Sequence, residues 1–103
     1  MSEQSGLAGK EQREELKRAV ALSYDPEKDE APRVIASGRG LVAERILEIA
    51  RFHGLPIRDD PILAEALCQV DLNEAIPPEL YALVAEVFAF VYRLKAKRGE
   101  LRH

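Results

Sequence analysis

One segment limits the possible folds of this chain more than any other. It is a short apolar strand that two glycines join to an amphipathic helix. The strand is predicted over Arg33–Ser37, the turn over GRG, and the helix over Leu41–His53, with Gly54 as its C-terminal cap. A third short strand is predicted over Leu55–Asp59. A strand, a helix and a second strand in this order are typical of a right-handed crossover, in which the two strands lie parallel. The segment therefore predicts a pair of parallel strands.

The remaining elements follow from periodicity. Ala19–Tyr24 alternates large and small side chains, which predicts a strand with one face of each kind. A helix is predicted after Asp60, with Asp60 as its N-cap and Pro61 as its first residue. Together these patterns predict a small α/β domain, in which a mostly parallel sheet of three to four strands is surrounded by three to four helices.

Each of the three predicted helices carries apolar side chains on one side, and in the helix after Asp60 these are Ile62, Leu63, Ala66, Leu67 and Val70. In the first helix Val42, Ile46 and Ile49 share one face. The last helix, predicted over Pro78–Lys97, carries two adjacent stripes, and this predicts contact on two sides. The two stripes are Leu80, Val84, Val87, Val91 and Leu94, and beside them Tyr81, Ala85, Phe88 and Tyr92.

The length of 103 residues predicts a single domain. Residues 19–97 are assigned to it, residues 1–18 to a flexible or helical N-terminal extension, and residues 98–103 to a tail. The extension starts with small polar residues and continues as a charged run in which Leu16 is the only apolar side chain after Lys10.

Charge and cysteine content argue against several functions. The net charge of −3 disfavours nucleic acid as a partner, because phosphate binding needs a basic face. One cysteine, Cys68, excludes an intrachain disulfide and favours a reducing, cytoplasmic setting. Cys68, His53 and His103 lack metal-ligand spacing, so neither a metal nor another cofactor is expected. No apolar run reaches the roughly 20 residues of a membrane helix, and the polar start is unlike a signal peptide.

One pattern is typical of a nucleotide site. Gly38-x-Gly40 follows a predicted strand and opens a helix, and Asp59 comes at the end of the next predicted strand, as in a dinucleotide-binding fingerprint. The alternative interpretation is a tight turn between strand and helix, with Asp59 and Asp60 capping the next helix. The acidic pairs and the serines have no partner at a catalytic spacing, so no enzymatic activity is expected.

Four segments together resemble the C-terminal cytoplasmic domain of the FlhB/YscU family, the substrate-specificity switch proteins of flagellar and injectisome type III secretion. They are AVALSYD from Ala19, APRVIASGRGLVAERILEIA from Ala31, LPIRDDPILAEAL from Leu55, and IPPELYALVAEVFAFVYRLK from Ile76. They occur in family order and with family-like spacing.

In the family, an Asn-Pro-Thr-His segment precedes the AVALSY-like strand and cleaves itself when the asparagine side chain attacks its own carbonyl carbon. The corresponding positions here fall near residues 14–17, and none of these four residues, Glu14, Glu15, Leu16 and Lys17, matches. The only asparagine, Asn73, is followed by Glu74. The resemblance therefore implies a free-standing, non-cleaving relative that lacks the transmembrane part and the strand before the cleavage site.

The resemblance also implies a task and a site. It implies a non-enzymatic interaction domain that docks export substrates or the export gate, located in the cytoplasm and at the membrane export apparatus. The family's docking pocket maps by position to Ala31, Pro32, Ala85 and Phe88, where Phe88 replaces the usual aliphatic residue. An alternative within this interpretation is that the sheet edge at Ala19–Tyr24 accepts a strand from a partner. Flagellar use is favoured over injectisome use, and the oligomeric state stays open.

Overall fold

The computed structural model describes residues 17–97. Its elements are strands β1 (Arg18–Ser23) and β2 (Arg33–Arg39), helices α1 (Leu41–Phe52) and α2 (Pro61–Leu67), and helix α3 (Tyr81–Lys97), which a 3-10 turn over Pro78–Leu80 precedes. Of the predicted N-terminal extension only Lys17 and Arg18 are described, and Arg18 is the first residue of β1. The predicted tail lies outside the described residues.

The sheet differs from the one predicted. Over residues 17–97 it has two strands, and β1 pairs antiparallel with β2, from Arg18 opposite Arg39 to Ser23 opposite Arg33. The prediction of a mostly parallel sheet with three to four strands is therefore wrong. A nine-residue connection is long enough to reverse the chain, so β2 returns beside β1 as a hairpin.

The predicted third strand at Leu55–Asp59 is also wrong, because this segment is irregular and joins α1 to α2. The place beside β2 is taken by residues 73–76 instead. The amide of Val34 donates to the carbonyl of Glu74 at 3.1 Å, and the amide of Ile76 donates to the carbonyl of Pro32 at 2.9 Å. Pro56 removes one backbone donor from the segment that was expected to fill this place.

A β-bulge interrupts the pairing of the two strands. Ala21 lies opposite Ala36, but the next pair joins Leu22 to Val34, so Ile35 is the extra residue of β2. The bulge turns Val34 and Ala36 to opposite faces of the sheet, although they are two residues apart. As a result Val34 and Ser37 lie on the face of Val20 and Leu22, whereas Ala36 and Gly38 lie on the other face with Ala19 and Ala21.

The main core lies on the face of Val34. Buried side chains from the hairpin, the segment before α3 and both later helices form it: Ala31, Val34, Leu63, Leu67, Ile76 and Val84. Val20 and Leu22 of β1 pack against this cluster, which confirms the predicted large-residue face of that strand.

Helix α1 packs against both strands from the opposite face. A Cβ atom added to Gly38 would overlap Cγ1 of Val42, so this face of the sheet at Gly38 lies directly against α1. Ala19 lies opposite Gly38 and therefore faces the same way. Ala19 and Ala43 are buried but do not belong to the main core, so small residues let α1 approach this side closely.

The predicted helix ends agree with the structure. Gly54 has a φ of 67°. Its amide donates to the carbonyl of Arg51, and the amide of Leu55 donates to the carbonyl of Ala50. These two bonds form a Schellman motif at the C-terminus of α1, with His53 as the C-cap residue. The side chain of Asp60 accepts from the amide of Leu63 at 3.1 Å, and Pro61 opens α2.

The close approach of Val42 to Gly38 leads to a prediction about stability. We expect Gly38→Ala to lower the free energy of unfolding by about 1–3 kcal/mol, because the new methyl overlaps Val42 and must displace α1 or rotate the valine. Urea titration followed by circular dichroism measures the change. Val42→Ala removes the overlapping Cγ1 atom, so the double variant should lose less stability than the two single variants predict together. Strict additivity would contradict this contact.

Candidate functional site

An apolar groove runs along α3 where that helix meets the loop before β2. It encloses about 380 Å³ and is lined by eleven residues, which we call the α3 groove. They are Tyr24, Glu30, Ala31, Pro32, Ile76, Tyr81, Val84, Ala85, Phe88, Ala89 and Tyr92. Glu30 is the one charged residue among them, so the groove suits an apolar ligand.

The floor and the rim of the α3 groove differ in exposure. Ala31, Ile76 and Val84 are buried and belong to the main core, so the floor is the core itself. The rim carries tyrosines, of which Tyr81 and Tyr92 are 46% and 53% exposed. Such a rim offers apolar ring surface together with hydroxyl groups that can hydrogen-bond to a ligand's backbone.

Helical spacing places the α3 side of the groove. Tyr81, Ala85, Phe88 and Tyr92 follow one another at four, three and four residues, which keeps them on one face of α3. Ala85 contributes only a methyl group, so the groove is open between the larger rings. Across the groove, the ring centroids of Phe88 and Tyr24 lie 5.8 Å apart, and the two ring planes form an angle of 53°.

Polar contacts hold the opposite wall, the loop before β2. The side chain of Asp25 accepts from the amide of Glu27, and the side chain of Asp29 accepts from the amide of Asp25, both at 3.0 Å. Arg33 ties this loop to the next one, since Nε lies 3.4 Å from Asp29 Oδ1 and Nη1 donates to the Asn73 carbonyl at 2.8 Å. These contacts lie on both sides of Ala31 and Pro32, which form the wall.

The structure brings together the four residues that the resemblance assigned to docking. Ala31 and Pro32 line the loop side of the α3 groove, and Ala85 and Phe88 line the helix side. Of the two stripes predicted on the last helix, the second lies in the groove in full, and the first contributes only Val84. Sequence reasoning missed Tyr24 and Ile76, because both reach the groove through the hairpin and the bridge to β2, which are contacts between distant segments.

The described structure lacks the strand arrangement on which the nucleotide-binding interpretation depended. A dinucleotide site needs parallel strands that end at a common edge, and here the strands are antiparallel. Asp59 is exposed in the irregular segment before α2 instead of ending a strand. Gly38 packs directly against Val42, which leaves no room for a side chain. Gly40 has a φ of 57° and directly precedes the first residue of α1.

The described part of the chain offers few side chains for metal binding or thiol chemistry. Residues 17–97 contain no group of three or more histidine, cysteine or acidic side chains that could hold a metal ion. Cys68 is the half-buried C-cap residue of α2 and has a free thiol. Among residues 17–97, none of the helices combines the length and the hydropathy of a transmembrane segment.

Comparison with known proteins assigns the chain to a family. Residues 16–91 match the model of the FlhB HrpN YscU SpaS family, which is most of the sequence. The chain belongs to the FlhB/YscU family. The match starts two residues before β1 and ends within α3, so it contains every residue of the α3 groove except Tyr92.

Relatives within the FlhB/YscU family are similar over the same part of the chain. YlqH of Bacillus subtilis, an uncharacterized protein, is 47% identical over 79 residues, which are 77% of this chain and 85% of YlqH. The flagellar biosynthetic protein FlhB of Salmonella typhimurium is 48% identical over 81 residues, which are 78% of this chain and 21% of FlhB. The chain thus spans about a fifth of the length of the FlhB proteins it matches.

Solved structures of the FlhB/YscU family share the fold. The cytoplasmic domain of FlhB from Shewanella putrefaciens matches with a TM-score of 0.76 and 39% identity, over 82% of this chain and 67% of that one. The PscU C-terminal domain matches with a TM-score of 0.69 and 27% identity, over 72% of this chain and 95% of that one. The expected likeness to an FlhB C-terminal domain is therefore confirmed, whereas the expected parallel sheet is not.

Proposed function

We propose that this chain is a non-enzymatic docking domain in flagellar or type III protein export, and that the α3 groove binds an apolar segment of an export substrate or of the export gate. The single observation that carries the proposal is the groove itself: an open apolar channel with a buried floor and a tyrosine rim. Apolar grooves of this kind are a common way to bind a peptide segment.

Membership in the family supplies the setting. The relatives at nearly half identity carry the name flagellar biosynthetic protein FlhB, and one matching structure is described as the cytoplasmic domain of FlhB. Because the chain corresponds to about a fifth of those proteins, their role in export is carried over to it as a proposal. We place its work in the cytoplasm, at the membrane export apparatus, with export proteins and substrates as partners.

The experiment is an NMR titration of the isotope-labelled chain with purified flagellar export substrates and with the soluble domain of the export gate. We expect shifts to cluster on residues that line the α3 groove, such as Ala31, Ala85 and Phe88. Ala82 is exposed on α3 but does not line the groove, so its amide reports unspecific contact with the helix. Saturating partners that leave the groove signals unmoved would contradict the proposal.

We also propose that the chain does not cleave itself. The autocleavage that the family performs requires an asparagine followed by proline, and the only asparagine here is followed by glutamate. Asn73 also has a structural place, since its φ is 69° and its carbonyl accepts from Arg33. We expect purified protein to keep the intact mass of 11.5 kDa during prolonged incubation, as measured by mass spectrometry. Two fragments that add up to this mass would contradict the prediction.

A further inference from the structure

The outer face of α1 carries large apolar side chains that nothing in the described structure covers. Leu41 is 70% exposed and Phe52 is 86% exposed, and they lie at the two ends of the helix. They are eleven residues apart, which is close to three full turns, so they share one face. Val42 and Ile49 lie together beside this face, on one side of it, and are also exposed. We call Leu41, Arg45, Glu48 and Phe52 the outer stripe of α1.

The outer stripe points away from the domain. Ala43 is buried beneath α1, and Leu47 and Ala50 on the same side are partly buried. By helical rotation the outer stripe lies roughly opposite to these residues. Isolated exposed apolar residues are ordinary, but four on one short helix form a patch that favours association.

The order of residues in the outer stripe is symmetric. Arg45 and Glu48 lie between the two apolar ends, with an Nη1 to Oε1 distance of 3.0 Å, and both side chains are well exposed. If a two-fold axis passes the middle of α1, between Ile46 and Leu47, Leu41 of one copy lies opposite Phe52 of the other, and Arg45 lies opposite Glu48. A second α1 that runs antiparallel would therefore place apolar ends on apolar ends and each arginine beside a glutamate.

We infer that the outer stripe of α1 is the contact of a two-fold dimer with a second copy of this chain. Self-complementary charge distinguishes this partner, because an isologous interface requires each residue to meet its own complement. The residues outside 17–97 are rich in charge and contain few large apolar side chains that could match the stripe. Residues 1–16 bring three large apolar side chains among many charges, and residues 98–103 bring one: Met1, Leu7, Leu16 and Leu101.

The dimer is weak by the size of its contact. A twelve-residue helix is about 18 Å long, so one helix pair buries less than the roughly 1,200 Å² of a standard stable interface. Association is therefore expected between micromolar and millimolar protein, where sedimentation equilibrium of the full chain detects it.

Charge reversal tests the antiparallel geometry directly. Arg45→Glu places glutamates opposite glutamates, Glu48→Arg places arginines opposite arginines, and each variant alone should be monomeric. An equimolar mixture of the two restores both opposite-charge pairs, so it should form a heterodimer at concentrations where neither variant self-associates. Circular dichroism first shows that both variants keep the wild-type helix content.

A second comparison separates the outer stripe from general stickiness. Phe52→Glu should abolish self-association, whereas Ile62→Glu, at an equally exposed residue of α2, should leave it unchanged. Wild-type protein that stays monomeric up to millimolar concentration would overturn the inference. So would a wild-type dimer whose charge-reversed variants fail to pair when mixed, since that result would exclude the antiparallel contact.

Discussion

Ala85→Asp is expected to weaken partner binding by at least about tenfold, equivalent to about 1.4 kcal/mol. Ala85 lies in the middle of the α3 groove, between the rings of Tyr81 and Phe88, and it is exposed. A carboxylate there must lose water when an apolar ligand arrives, and no described cation lines the groove to compensate. Because the residue is on the surface, the fold should tolerate the change.

Isothermal titration calorimetry with the partner found by NMR measures this loss. Ala82→Asp is the matched control, because it makes the same substitution three residues earlier on an exposed position of α3 that does not line the groove. The control should bind like the wild type. Equal losses in both variants would indicate general electrostatic repulsion of the partner and would remove the α3 groove from the interface.

Leu67→Ala is expected to have the largest effect on stability, a loss of about 2–5 kcal/mol. Leu67 is 3% exposed and belongs to the cluster that joins α2 to the sheet and α3. Domains of this kind have a total stability of about 5–15 kcal/mol, so the variant should approach the unfolding limit at physiological temperature. Urea unfolding at low temperature should show a lower midpoint with an unchanged slope.

Leu83→Ala is the control for this prediction. It removes the same atoms from a helical leucine that is 48% exposed, and alanine favours helix. Its unfolding midpoint should stay close to that of the wild type. Similar losses at Leu67 and Leu83 would mean that the cluster around Leu67 does not hold α2 in place.

The local signals in the sequence predicted the helices well. Gly54, Asp60 and Pro61 act through contacts within four or five residues, so their capping roles could be inferred without knowledge of the fold. The sheet could not be predicted in the same way. A strand was predicted over Leu55–Asp59, but residues 73–76 occupy the edge of β2 beside which it was expected. That competition depends on contacts between distant segments.

The candidate site shows the same division. Periodicity identified the stripe that contains Ala85 and Phe88, and the family resemblance joined Ala31 and Pro32 to it as one pocket. Tyr24 follows the end of β1, and only the hairpin brings it to within 5.8 Å of the ring of Phe88. In α1, the apolar face predicted from Val42, Ile46 and Ile49 is largely exposed, because the sheet beneath is lined with small residues and receives Ala43 instead.

The α3 groove and the outer face of α1 lie on opposite sides of the two-stranded sheet, and this separation has a consequence for binding strength. A pair of chains joined through α1 would hold two grooves that face away from each other and remain open. A partner with two apolar segments on a flexible linker could then occupy both, and its second contact would form at an effective concentration of about millimolar. Avidity of this kind turns a weak single contact into a durable one, and it is lost when one linked segment is removed.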